Sequence, residues 1–198
     1  YPSVSGTSVA RDYVEFPSQL LEHWLSTPEV LNRYALHYQT GKPIPKTLVD
    51  KIEAAEKFNE GFKTVEYLSS ALIDMKLHLA GDTTIDADRF ERETLASLGM
   101  PREIVMRHRT PQFNHVFSGD GYSAGYYSYL WSDTITADAW EAFTEAGGPW
   151  DKAVGKRLKT LLSLGNTVDP ADAYRSFRGR EPGIAALMRK RGFPVPAD

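Results

Sequence analysis

The chain has 198 residues, 41% hydrophobic and 25% charged, with a formal net charge of −3, and a domain of this size buries roughly 70% of the surface its unfolded chain exposes. A sequence pI near 6.0 excludes a nucleic-acid binder working by bulk positive charge, and no apolar run approaches the ~20 residues needed to cross a bilayer. With no cysteine in the chain, a disulfide scaffold, a thiol nucleophile and a thiolate metal site are all excluded.

Residues Tyr1 to Ala10 are small and hydroxylated and read as an irregular entry. From Asp12 the pattern turns helical, with Val14, Leu20, Leu21, Trp24 and Leu25 at spacings near three and four, and with Pro17 acceptable in a first turn. Thr27-Pro28 predicts an N-cap and first helical position for a helix over Glu29 to Gln39. The longest helical stretch is expected from Pro45 to Leu79, bent or split at Gly61. Asp86 to Leu98 follows, ended by Gly99 and Pro101, and Glu103 to Phe117 reads as short helical or extended pieces. After a glycine-rich loop over Ser118 to Gly125, helices are expected over Ala124 to Ala146, Asp151 to Leu164, Pro170 to Phe177 and Gly183 to Lys190. The fold class is all-α, and with no repeat or linker-like stretch residues 1–198 are expected to form a single unit.

Two blocks carry chemistry. In the first, Asp12 and Glu15 are three apart, so on a helix they share a face, which Gln19 extends. Such a carboxylate pair suits a metal ligand and its supporting acid, and equally suits first-turn acids placed by the helix dipole. In the second, four of the ten tyrosines fall between Tyr122 and Tyr129, after His115 and the glycines Gly119 and Gly121. Tyr122, Tyr126 and Tyr129 are spaced four and three, so a helix would line up their hydroxyls beside the loop. Phenols so placed can donate to a developing oxyanion, while Gly119, Gly121 and Gly125 let backbone approach a ligand or move over it. Three aromatics at helical spacing also suit a core, but Ser118, Asp120, Ser123 and Ser128 among them are polar where a buried stripe is aliphatic. His23, His37, His78 and His108 have no ligand-like spacing and are assigned nothing. The chain contains no His-Glu-x-x-His, Gly-x-Ser-x-Gly or Walker pattern.

Taken together, Ser5-Gly6-Thr7, Arg11 to Gln19, Glu22-His23-Trp24 and Gly121 to Trp131 resemble the C-terminal part of the thimet oligopeptidase, oligopeptidase A and peptidyl-dipeptidase family of zinc metallopeptidases. Weaker similarity runs through Phe58 to Phe62 and Leu68 to Met75, so the resemblance covers nearly the whole chain. It implies the helix-rich catalytic portion of a zincin-type enzyme that hydrolyses short peptides. Glu15 matches the family's third zinc ligand, and Asp12 would be the acid behind the ligands. Tyr126, Tyr129 and His115 match residues that contact substrate and steady the tetrahedral intermediate. Tyr122 matches the loop tyrosine that closes on substrate, with Gly119 and Gly121 in the same loop. The His-Glu-x-x-His segment, which supplies two zinc ligands and the general base, is missing here.

The resemblance therefore implies a C-terminal fragment whose partners are short peptides and the missing N-terminal part of the same protein, with no nucleic acid and no membrane. Because a catalytic zinc takes three protein ligands and a water, zinc is expected in the full-length enzyme and not tightly on this chain, which alone should be inactive. The chain opens at Tyr1 and shows no export signal, which favours the cytoplasm, with the periplasm open. A non-catalytic helical interaction module derived from the same family is the alternative, and a carboxylate hydrolase built on Glu15 ranks last because no partner acid stands out.

Overall fold

The computed structural model describes residues 1–195. The described residues form ten α-helices: α1 (Phe16–Glu22), α2 (Pro28–Tyr34), α3 (Lys46–Glu56), α4 (Glu60–Leu79), α5 (Ala87–Ser97), α6 (Asn114–Phe117), α7 (Ser128–Glu145), α8 (Lys152–Ser163), α9 (Pro170–Arg178) and α10 (Ala185–Arg191). Among them a single antiparallel bridge, Leu36 to Pro43, stands in place of any sheet. The all-α reading holds. The chain forms two compact units, one of residues 1–58 with 130–198 and one of residues 59–129.

In the first unit the core is built on α7, α8 and α9. Val154, Leu158 and Leu161 of α8 recur at spacings of four and three and pack with Ile135, Ala139 and Phe143 of α7 and with Ala173, Tyr174 and Phe177 of α9. Asp151 and Asp169 cap the starts of α8 and α9 by accepting backbone N–H groups, each cap being worth about 1 kcal/mol. Phe16 and Leu20 of α1 enter the same cluster, and Phe16 is fully buried. That burial, about 1.5–3 kcal/mol for such a side chain, fixes the start of α1 immediately after Glu15.

A buried carboxylate ties α7 to α9. Asp138, 1% exposed, accepts from the Tyr174 hydroxyl at 2.6 Å and from Arg178 Nε at 3.3 Å, and pairs with Arg180. Further along, Asp133 pairs with Lys190 and Arg191, and Glu141 accepts from Nε and Nη2 of Arg189.

In the second unit Ala71 and Ile73 of α4 are buried, as are Met106, Phe113 and Val116. The segment after α5 has little regular structure of its own, and a buried acid organises it. Glu91, 5% exposed, accepts from the Thr110 N–H and hydroxyl, both at 2.8 Å, and from Arg109 Nε at 2.5 Å. That holds the turn into α6, because a buried backbone N–H must find an acceptor.

Four expected boundaries move. The helix foreseen from Asp12 starts at Phe16, and residues 11–15 form turns closed by Tyr13 and Val14 N–H donating to the Ala10 carbonyl. The helix foreseen to Gln39 ends at Tyr34, because Ala35 and His37 pair with Ile44 and Lys42 across a turn through Gly41. The long helix breaks before Asn59 rather than at Gly61. Asn59 adopts φ +56°, a conformation that asparagine tolerates better than most residues. Thr27 precedes α2 as foreseen but does not cap it, since its hydroxyl donates back to the Trp24 carbonyl at 2.7 Å.

Candidate active site

The fourth moved boundary bears on function. The helix expected from Ala124 begins at Ser128, so only Tyr129 of the three tyrosines is helical, and residues 120–127 form turns and bends. The phenols are still gathered, by a different device. The Tyr122 carbonyl accepts the Gly125 N–H at 2.8 Å, and the Gly125 carbonyl accepts the Ser128 N–H at 3.1 Å, leading directly into α7. A Cβ on Gly125 would stand 3.2 Å from Tyr122 Cα and 3.4 Å from its carbonyl atoms, so this close turn depends on glycine. Ala124 beside it adopts φ +53°, an unfavourable conformation that surrounding structure must enforce.

The four residues the sequence singled out here meet around His115. α6 presents its imidazole with Nε2 3.0 Å from the Tyr129 hydroxyl. The ring centroids of Tyr122, Tyr126 and Tyr129 lie 4.6, 5.5 and 5.7 Å from that of His115. Tyr122 stacks on Tyr129 at 5.4 Å, and Tyr126 meets Tyr129 edge-on at 5.6 Å. His115 is exposed and the three tyrosines are half-buried, so the cluster is an open aromatic wall with polar atoms along it and not a closed core.

Burial holds the Tyr126 hydroxyl above its ordinary value of 10.0, with Glu66 adding to the rise and Arg107 opposing it. At neutral pH Tyr126 is therefore a protonated phenol, a hydrogen-bond donor that carries no charge into the site. The His115–Tyr129 bond has two forms. With a lone pair on Nε2 the imidazole accepts from Tyr129, and with a proton there it donates and frees the Tyr129 proton for another acceptor. Gly119 and Gly121 lie exposed in the loop before Tyr122. A Cβ on Gly119 would meet no atom within 4 Å, whereas one at Gly125 meets the Tyr122 backbone.

Three residues assigned no role by the sequence hold this arrangement. Asp74, 1% exposed, accepts the Ala124 N–H at 3.0 Å through Oδ1 and the Tyr126 N–H at 2.9 Å through Oδ2. His78 places Nδ1 2.9 Å from that same Oδ1, 2.9 Å from the Asp74 carbonyl oxygen and 3.3 Å from the Ala124 backbone nitrogen. Tyr67 donates its hydroxyl to the Tyr126 carbonyl at 2.5 Å. All three lie along one face of α4, at spacings of seven and four. The available signal was Tyr67, Asp74 and His78 at helical spacing on α4, with His78 set aside among the lone histidines.

The acids of the first block lie in the other unit. Glu15 is the residue before α1, half-buried, with its carbonyl accepting the Gln19 N–H and the Ser18 hydroxyl and its Oε2 3.4 Å from Ser18 Oγ. Asp12 is in the preceding turn, where its carbonyl accepts the Ser132 hydroxyl at 2.8 Å. The helical face the two were expected to share is thus a turn, because α1 starts after both. No three His, Asp or Glu side chains among the described residues are gathered to hold a metal ion, so this chain's own donors do not fit a catalytic zinc, which needs three.

The family model of Peptidase family M3 matches residues 1–193. The chain belongs to that family. Among its relatives are dipeptidyl carboxypeptidase of Escherichia coli K12, 39% identical over 198 residues, and oligopeptidase A of the same organism, 40% identical over 195. Thimet-like oligopeptidase of Dictyostelium discoideum is 33% identical over 199 residues. These alignments cover 98%, 96% and 97% of this M3 chain, and 29%, 28% and 29% of the relatives. The chain thus spans under a third of the length of the relatives it matches.

Proposed function

We propose that this chain is the C-terminal portion of a zinc-dependent M3 peptidase that hydrolyses short peptides, and that it supplies the donors facing the scissile bond. The observation that carries the reading is the His115, Tyr122, Tyr126 and Tyr129 wall, with a neutral Tyr126 phenol at its base. Hydrolysis of a peptide passes through a tetrahedral state in which the carbonyl oxygen gains negative charge. Donors fixed before that charge appears stabilise it more than they stabilise the bound peptide. Tyr126, with Tyr129 and His115 beside it, provides such donors from a partly dry wall. Tyr122 and the loop through Gly119 and Gly121 lie next to the wall, where they contact the peptide and exclude water.

Zinc dependence belongs to the family, and bound zinc would supply a water of lowered pKa. In this reading Glu15 would be the ligand that the chain contributes and Asp12 the acid behind the ligands. The remaining ligands and the general base come from the rest of the protein, and the chain alone is inactive. Relatives named for dipeptidyl carboxypeptidase and oligopeptidase activity support the substrate class.

The test is Tyr126→Phe in the full-length protein with a short peptide substrate. It removes one donor and keeps the ring, so kcat is expected to fall about 10²–10³-fold while KM changes little. Wild-type kcat in a folded variant refutes the role given to Tyr126.

A further inference from the structure

Tyr126 sits in a turn and not in a regular element, so its own local structure does little to fix where the phenol points. Its orientation is set by α4, which holds three parts of the residue at once. The backbone N–H goes to Asp74 Oδ2 at 2.9 Å, the carbonyl takes the Tyr67 hydroxyl at 2.5 Å, and the ring stacks on Tyr67 at 5.3 Å with 23° between planes. The other oxygen of Asp74 takes the Ala124 N–H at 3.0 Å, two residues earlier, where the backbone is in its unfavourable positive-φ form. One buried side chain therefore fixes both ends of the dipeptide step that aims Tyr126, and His78 in turn fixes that carboxylate.

We infer that Asp74 and Tyr67 are positioning residues for the Tyr126 phenol: α4 clamps the Tyr126 peptide so that its hydroxyl is already aimed before substrate binds. This rests on the donor role proposed for Tyr126. A carboxylate suits the task because it accepts two N–H groups side by side and donates none. The phenol lies at the far end of the ring, so a small rotation of the peptide is magnified at the oxygen. Displacements near ~1 Å cost roughly 10²-fold in rate. An acid that merely satisfied a buried loop would have no reason to act through Tyr126 in particular, and the test turns on that difference.

In the full-length protein, Asp74→Asn puts an NH₂ against one of the two N–H donors, and Tyr67→Phe keeps the ring and removes the hydroxyl. Each is expected to lower kcat, Asp74→Asn by roughly 10–100-fold and Tyr67→Phe by less, with KM little changed. Combined with Tyr126→Phe, neither should lower kcat further, because the group they position is already gone. Losses that multiply with that of Tyr126→Phe overturn the inference, as does wild-type kcat in both single variants. Should Asp74→Asn fail to fold by circular dichroism, the half-buried Tyr67→Phe carries the same comparison. Wild-type kcat in Tyr126→Phe refutes the donor role itself, whereas a loss in Tyr126→Phe with none in the α4 variants refutes only the clamp.

Discussion

Gly125→Ala perturbs the turn by one methyl group. Gly125 is buried, and the new Cβ would lie 3.2 Å from Tyr122 Cα and 3.4 Å from the Tyr122 carbonyl carbon and oxygen. Carbon atoms prefer roughly 3.5–4.0 Å, so one side must retreat by about 0.3 Å or more. The obstructing atoms are backbone, which cannot swing aside as a side-chain tip would. Overpacking of this kind costs about 1–3 kcal/mol, and the Gly125 N–H bond to the Tyr122 carbonyl, now 2.8 Å, absorbs part of the movement. The displacement arrives at Tyr122 on one side and Tyr126 on the other. A backbone shift of about 0.3 Å grows along the Tyr122 and Tyr126 side chains towards the roughly 0.5 Å that productive geometries tolerate, so a kcat loss of up to about 10-fold is expected together with a lower melting temperature. The assay is thermal denaturation and steady-state peptide hydrolysis on the full-length protein, with Gly119→Ala as the stability comparison. At Gly119 an added Cβ meets nothing within 4 Å, so its melting temperature should equal that of the wild type. Wild-type melting temperature and kcat for Gly125→Ala would refute the steric argument.

Two further outcomes follow from the first unit. Asp138→Ala removes the short hydrogen bond of the buried Tyr174 hydroxyl and the acceptor of Arg178 Nε, while the Arg178 terminal nitrogens keep Glu145. A loss of about 1–3 kcal/mol is expected in chemical denaturation, and an unchanged midpoint would refute the pairing. Burial holds His23 down at about 4, with Lys190 adding to the drop and Asp133 opposing it. The unfolded chain therefore takes up the proton first. Stability should be intact above pH 6.5, the ordinary value, and decline as pH falls towards about 4. His23→Phe, which keeps a ring against Trp140, should flatten that decline in melting temperature against pH. Parallel slopes for the two proteins would refute it.

Much of the fold was legible because helix starts and apolar periods are local. The helix starts expected at Asp86, Asp151 and Pro170 hold to within a residue, and the side chains of Asp86, Asp151 and Asp169 accept N–H groups there. The helix expected from Ala124 through Tyr126 was misread for a reason of packing. The spacing of the tyrosines at four and three suits a helix, but Asp74 takes the Ala124 and Tyr126 N–H groups for itself. Once a carboxylate from another helix satisfies those donors, the backbone need not satisfy them internally. A residue some fifty positions away decided the local structure, and periodicity carries no information about it.

The sequence by itself determined the all-α class, the family, and the four residues His115, Tyr122, Tyr126 and Tyr129, because residue types, short spacings and helix punctuation are written along the chain. The arrangement of those four was decided only in three dimensions. The buried carboxylates Asp74, Glu91 and Asp138 each bind partners far away in sequence, and a buried charge is stable only where the fold brings it its donors.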